Sequence, residues 1–365
     1  MVRWPAMAQV KPFSALRYDT ARAGPVEDLV APPYDVIGPA EREQYLARSP
    51  YNVVRLTLPD SEEQAARDLS SWRENGVLTT EEPAFWALSQ DYVGPDAVAR
   101  TRTGAVVSLK IEPYEKGVVL PHERTHRGPK EGRLRLLRAT QTQLEPIFLL
   151  YEGRTPFTVP AGEPVLEVDG TRAWRLEDDR LGEAFADRRL LIADGHHRYE
   201  TALAYHEEMG TQASGYMMVV LVSLEDPGLT IFPTHRVFRE PPPDLLAGEQ
   251  RDDPESALQE LQELERGRAA VVVYDGRTEL ALDGAGELDV QLVDRLGQDG
   301  LSYTADWREA VRAVDEGEAA VAVLMRPTRI EDVFEVAARG ETMPQKSTYF
   351  YPKLVSGLLF HPLDA

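Results

Sequence analysis

The sequence predicts a mixed α/β (α+β) fold, and three patterns carry that prediction. Short unbroken apolar runs, Leu190–Ala193, Pro146–Tyr151 and Tyr216–Val222, are strand-sized and suit strands buried on both faces. One of them leads directly into a helix. Within Arg188–Gly210 (RRLLIADGHHRYETALAYHEEMG) the apolar run stops at Asp194 and Gly195 permits a sharp turn. Tyr199, Ala202, Leu203 and His206 then recur at three- and four-residue spacing until Gly210 receives the chain. Beyond Pro241-Pro242-Pro243, helical and strand periods alternate again, which predicts additional α/β segments.

In chain order, residues 1–113 read as an N-terminal α/β segment. Pro32-Pro33 fixes an extended entry into Tyr34, Asp35 and Val36, and Asn52–Leu58 alternates as a strand would. Ser61 caps a predicted helix that ends at Gly76, with Ala65, Leu69 and Trp72 on one face. Ala84–Val93 and Gly104–Ile111 read as a hairpin across a polar connection. Residues 114–240 make the core: a loop-like stretch to Gly132, a helix at Leu134–Thr140, the strand in Pro146–Tyr151, and the Arg188–Gly210 unit. Tyr216–Leu224 and Leu229–Phe238 read as paired strands joined through Glu225–Gly228.

The proline run to about Asp253 is the linker candidate into a small α/β segment, 241–330. There the pattern predicts a helix at Ser256–Glu265, a hairpin of Ala269–Tyr274 with Thr278–Leu282, a helix started by Asp306 and Glu309, and a strand at Ala319–Met325. The last segment, 331–365, carries Tyr349, Phe350, Tyr351, Leu354, Leu358, Leu359 and Phe360, so it must pack back on the core.

Composition excludes several functions. A formal charge of -21 over 365 residues repels nucleic acid and anionic lipid, so neither is an expected partner. The absence of cysteine removes disulfides, thiolate zinc sites and every cysteine nucleophile. No signal-peptide-like core opens the chain and nowhere do 18 apolar residues run together, from which a cytoplasmic location is expected. Oligomeric state is not legible.

The chemistry concentrates at the strand–helix junction. Gly195 lets a ligand approach closely, and the first amides of the helix have no internal partner, which favours an anion. Arg198 adds a planar fork matched to two phosphate oxygens, and His196 and His197 add imidazoles that donate or shuttle protons. Asp194 is the candidate for a Mg²⁺ ion beside phosphates. A plainer reading makes Asp194 a helix cap and Arg198 a surface charge.

His122-Glu123-Arg124-Thr125-His126 formally matches H-E-x-x-H, the pattern of a metal-dependent hydrolase, but Gly128-Pro129 would stop the required helix early. Lys346, Ser347, Thr348 and Lys353 either meet phosphates from across a cleft or are solvated beside core aromatics. Tyr34, Asp35, His235 and Arg236 either line that cleft or serve turns and surface.

A family resemblance adds to this reading. Ala193–Leu203 (ADGHHRYETAL) resembles the signature of the bacterial and archaeal domain of unknown function 1015 family. Similar matches are APPYDVI (Ala31–Ile37), HERT (His122–Thr125), FPTHRVF (Phe232–Phe238) and MPQKSTYFYPKLVSGL (Met343–Leu358). More distantly, the strand-GHxR-helix unit resembles the ParB/sulfiredoxin superfamily, which includes free serine kinases. That resemblance implies a ParB/sulfiredoxin-like mixed sheet as the core and nucleotide phosphates on Gly195–Arg198, with Lys346 and Ser347 opposite. ATP or ADP would be the donor and Mg²⁺ would sit near Asp194. Glu123 would be the base, aided by His197 and Asp194, with free L-serine as the acceptor. His122, Thr125, Tyr34, Asp35, His235 and Arg236 are then substrate-side candidates. The other classes left open are the hydrolase and a non-catalytic, nucleotide-binding, ParB-like regulator.

Overall fold

Two of the apolar runs lie at the centre of a mixed sheet, and their surroundings explain why they contain so little polarity. The protein is described here by a computed structural model covering residues 8–123, 127–178, 180–265, 267–285 and 288–363. Ile147–Tyr151 runs parallel to Tyr216–Ser223 and antiparallel to Leu190–Asp194. Leu191, Ala193, Phe148, Leu150, Met218 and Val220 enter one core, while Leu190, Ile192, Ile147, Leu149, Met217 and Val219 enter the other. Successive side chains point to opposite faces, so a sheet covered twice needs apolar residues throughout.

The sheet extends from Val119–Leu120 through these three strands to Ala99–Lys110, Phe85–Val93, Thr171–Leu176 and Leu166–Val168. With Val10–Lys11 beside Ala99–Lys110 it has nine strands among the described residues. The helix His196–Met209 covers one face through Tyr199 and Ala202.

The fold is therefore mixed α/β, and several elements fall where the patterns place them. Ser61 Oγ accepts the Gln64 amide at 3.2 Å and starts Glu62–Glu74, which buries Ala65, Leu69 and Trp72. Asn52–Leu58 is a correction, because Val54–Thr57 is a helical turn. Asn52 accepts from the Val54 amide at 3.0 Å and donates to the Asp28 and Val30 carbonyls, a local network that outweighs strand propensity. The pairing of Tyr216–Leu224 with Leu229–Phe238 is a second correction. Pro233 has no amide to give a ladder. The chain divides around it: Thr230–Phe232 pairs with Tyr349–Tyr351, and His235–Phe238 joins another sheet.

That sheet has the order Glu249–Arg251, Thr278–Ala285, Arg268–Tyr274, Val321–Leu324, His235–Phe238, Leu301–Thr304 and is antiparallel throughout. It takes one strand from before the proline run. Pro254–Glu263 and Trp307–Asp315 bury Ala257, Leu258, Leu261 and Ala310 on it. Ile330–Ala338, a helix not anticipated from sequence, packs Val333 and Phe334 into the large core. The C-terminal segment packs back as its aromatic content requires, with Phe350, Leu354, Leu358 and Leu359 in the large core and Phe360 in the N-terminal one. Among the described residues no helix is long and apolar enough to cross a membrane.

Candidate functional site

Asp194 ends its strand, and Gly195 turns the chain into the helix at φ +100°. A Cβ on Gly195 would lie 2.6 Å from Ile147 Cγ2 and 3.2 Å from Arg198 Nε, so only glycine fits there. Among the described residues no side chain caps this helix, and a helix start of this kind favours an anion. Above the turn lies a cleft of about 360 Å³. It brings together the Asp194–Arg198 turn, Tyr34 and Asp35, Glu123, and the C-terminal residues Lys346, Thr348, Tyr349 and Lys353.

Asp194 is the electrostatic centre. One carboxylate oxygen accepts from Arg198 Nη2 at 2.7 Å and the other accepts from Lys353 Nζ. Burial would raise this carboxyl, but Lys353 and then Arg198 outweigh it and hold it well below the usual carboxylate range. Burial likewise works against the charge on Arg198, yet Glu145, Asp194 and Asp35 keep it above its ordinary value. Lys353 is raised in the same way, with Asp194 overcoming burial.

Two corrections follow. Arg198 does not present an open fork to phosphate, because Nη1 donates to the Pro146 carbonyl at 2.5 Å and Nη2 to Asp194. Nor does Asp194 fit a magnesium ion, since both of its oxygens already face cations. Among the described residues, no group of three or more histidines and carboxylates is placed to hold a metal.

Lys353 reaches Asp194 because its backbone is gripped from below. Arg102 is almost wholly buried and donates to the Pro352 carbonyl at 2.7 Å, the Tyr351 carbonyl at 3.3 Å and Gln90 Oε1 at 2.5 Å. Gln90 Nε2 in turn donates to the Lys353 carbonyl at 3.4 Å. Arg102 stacks over Phe148 at 4.5 Å, and burial pulls it down to about 10. This clamp joins residues 263 positions apart, so no local pattern announces it. Sequence reasoning also missed Glu145. Its Oε1 accepts from the Tyr34 amide at 3.1 Å and Ser356 Oγ at 2.7 Å, which ties the proline-rich entry to the C-terminal segment. Arg133 lies over the Tyr34 ring at 3.9 Å.

The histidines divide. His122 is fully buried, with Nδ1–H donating to the Ile192 carbonyl at 2.6 Å and Nε2 accepting from Thr348 Oγ1 at 3.0 Å. Burial pushes it down to about 4. Its backbone amide donates to His196 Nε2 at 3.3 Å, and the two rings meet edge to face at 4.7 Å. Burial first, and His122 second, drive His196 well below the ordinary imidazole range. His196 touches the cleft, but its Nε2 is engaged with His122 rather than with a ligand. His197 lines the cleft, and its carbonyl accepts from Thr201 at 2.7 Å.

The zinc pattern loses its geometry. Glu123 bridges to Met343 in extended backbone, and both His122 ring nitrogens are taken. Thr125 and His126 lie outside the described residues.

Glu123 lines the cleft. Burial raises its carboxyl, and Lys346 opposes that rise. Ser347 corrects an expectation: it is buried and donates to the Pro344 carbonyl at 2.6 Å, and of the Ser347-Thr348 pair it is Thr348 that lines the cleft. His235 is a further correction. Its Nδ1 accepts from the Met325 amide at 3.1 Å and its ring lines a separate cavity. Arg236 is buried behind the cleft, donating to the Thr234 and Gln345 carbonyls, whose residues do line it.

The chain belongs to the family described as protein of unknown function (DUF1015), matched over residues 10–296. Among curated proteins none matches. Among solved structures, a free serine kinase in complex with AMP is 18% identical, with 66% of this chain and 89% of that chain covered and a TM-score of 0.40. A conserved hypothetical protein from Pyrococcus furiosus is 17% identical, covering 66% and 92%, with a TM-score of 0.36. SbnI from Staphylococcus aureus, truncated at its C-terminus, is 15% identical, covering 70% and 87%, with a TM-score of 0.32.

Proposed function

We propose that this member of the family is a nucleotide-dependent small-molecule kinase, in which ATP or ADP gives a phosphoryl group to a hydroxyl and free L-serine is the acceptor. The observation that carries the reading is the composition of one cleft. An uncapped helix start and the side chains of Lys346 and Lys353 share with a half-buried carboxyl, Glu123, a space of nucleotide-phosphate size.

Residues 114–240 act as a ParB/sulfiredoxin-like core that presents the turn, and 331–365 supplies the opposing wall. Phosphate oxygens rest on the His196–Arg198 amides and Lys346, with Lys353 beside them. Arg198 and Asp194 hold the turn and Lys353 in place. Glu123 takes the acceptor's proton as its oxygen attacks the terminal phosphorus, the bond to the leaving diphosphate or monophosphate breaks, and the cations offset the charge that develops. Tyr34, Asp35 and Thr348 border the acceptor. His197 lies near the transferred group. No step is routed through magnesium, because the chain's own carboxylate at the turn is paired with cations.

The test incubates purified protein with ATP, ADP, CTP or pyrophosphate and a panel of hydroxyl compounds that includes L-serine, with and without Mg²⁺, and reads product by mass. Phosphoserine formed by the parent, and reduced by about 10²–10⁴-fold in Glu123→Gln with nucleotide affinity nearly intact, supports the reading. Normal turnover in Glu123→Gln removes that residue as the base. Nucleotide binding without transfer to any acceptor would favour the regulatory alternative. The hydrolase alternative is disfavoured by the engaged ring of His122.

A further inference from the structure

A second cavity, about 410 Å³, lies on the far side of the wall that contains Thr234. Thr234 borders the cleft, whereas its neighbours Phe232, Pro233 and His235 border this cavity together with Trp307, Met325 and Pro327. Nothing in the proposed kinase chemistry uses it.

The character of its walls defines an occupant. Two aromatic side chains and three proline rings offer flat apolar contact. Most of the charge at its edge is matched within the protein. Asp96 binds Arg100 through both oxygens, at 2.9 and 2.6 Å. Asp306 caps its helix by accepting the Arg308 amide at 2.9 Å, and Arg308 donates to Glu255 at 3.3 Å. Asp96 and Arg308 are thus matched within the protein, and an anion entering the cavity would lose hydration with no unpaired cation to meet it.

The buried polar group is His235. Its Nδ1 accepts from the Met325 amide, so the neutral ring carries its proton on Nε2 and presents a donor to an acceptor atom.

We infer that this cavity binds a small, uncharged, planar heteroaromatic molecule, with its ring among Phe232, Pro233, Trp307 and Pro327 and a ring nitrogen or carbonyl accepting from His235. The site is independent of the cleft's chemistry, and its test does not rely on kinase activity.

The experiment is calorimetric titration of the full chain with 7-azaindole, an uncharged bicycle with a ring-nitrogen acceptor, and with indole, which lacks that acceptor. The variants Gln262→Trp and Ala305→Trp each place bulk at the cavity lining from residues that are not buried, so folding is retained and is checked by circular dichroism. Saturable one-site binding of 7-azaindole below about 1 mM, weakened roughly tenfold or more by both variants and by about tenfold in indole, is expected. Absence of saturation, or binding equally strong in both filled variants, would overturn the site. Equal affinity for indole and 7-azaindole would overturn the role given to His235.

Discussion

Replacing Gly195 by alanine tests the geometry on which the whole cleft depends. The residue sits at φ +100° and ψ 27°, where an L side chain costs about 1–2 kcal/mol. The added Cβ lies 2.6 Å from Ile147 Cγ2 and 2.9 Å from Ile147 Cβ. Ile147 is fully buried in a central strand held by partners on both sides, so it cannot retreat. Overpacking of this kind adds about 1–3 kcal/mol, for a total of about 2–5 kcal/mol. The same Cβ lies 3.2 Å from Arg198 Nε, so relief by movement on that side would break the 2.7 Å pair with Asp194. Urea unfolding of parent, Gly195→Ala and Gly195→Asn measures the effect. Asparagine tolerates positive φ better than alanine, so a loss in both variants isolates the steric part. A Gly195→Ala protein within about 0.5 kcal/mol of the parent would refute the claim that the position admits only hydrogen.

Further expectations follow from the buried charges. Asp194→Asn leaves Lys353 and Arg198 facing each other without a counter-charge and should destabilise by about 3–5 kcal/mol in urea unfolding, with part regained in Asp194→Asn/Lys353→Met. Because the folded Asp194 carboxyl is depressed, its contribution is present above the unfolded value of about 3.9 and lost as pH falls further, so the variant should lack that acid-side loss. His122, His235 and His361 are each pushed down to about 4 by burial. The unfolded chain binds protons at these groups below about 6.5 and the folded one does not, so stability should fall from pH 6.5 towards 4, by up to about 1.4 kcal/mol per pH unit for each. Urea midpoints that are flat across this range would contradict neutral buried imidazoles. Arg102→Lys, which keeps charge but not the fork, should weaken pyrophosphate binding by roughly tenfold or more with less effect on stability than Arg102→Met. Equal effects of both on stability and binding would reduce the clamp to a packing role.

What the sequence determined by itself was local. The strand Leu190–Asp194, the turn at Gly195 and the helix to Met209 follow from a short apolar run, a glycine and a change of period, because each depends on neighbours within about one turn. The tail's need to pack back followed from its aromatic content. The tertiary structure decided which of the named side chains share a space. Tyr34, Asp35, Glu123, Lys346 and Lys353 converge on the turn, whereas Ser347 turns away to a carbonyl and His235 enters another cavity. It also decided the state of those groups. Arg198 and Asp194 read from sequence as a phosphate fork and a metal ligand, and in the fold they bind each other, a carbonyl and Lys353. The misread strand at Asn52–Leu58 has the same cause on a smaller scale, since the Asn52 side chain finds carbonyl partners more than twenty residues away. Periodicity records which face a residue turns to the core, while hydrogen-bond partners and charge depend on chain segments brought together only by the sheet and its C-terminal clamp.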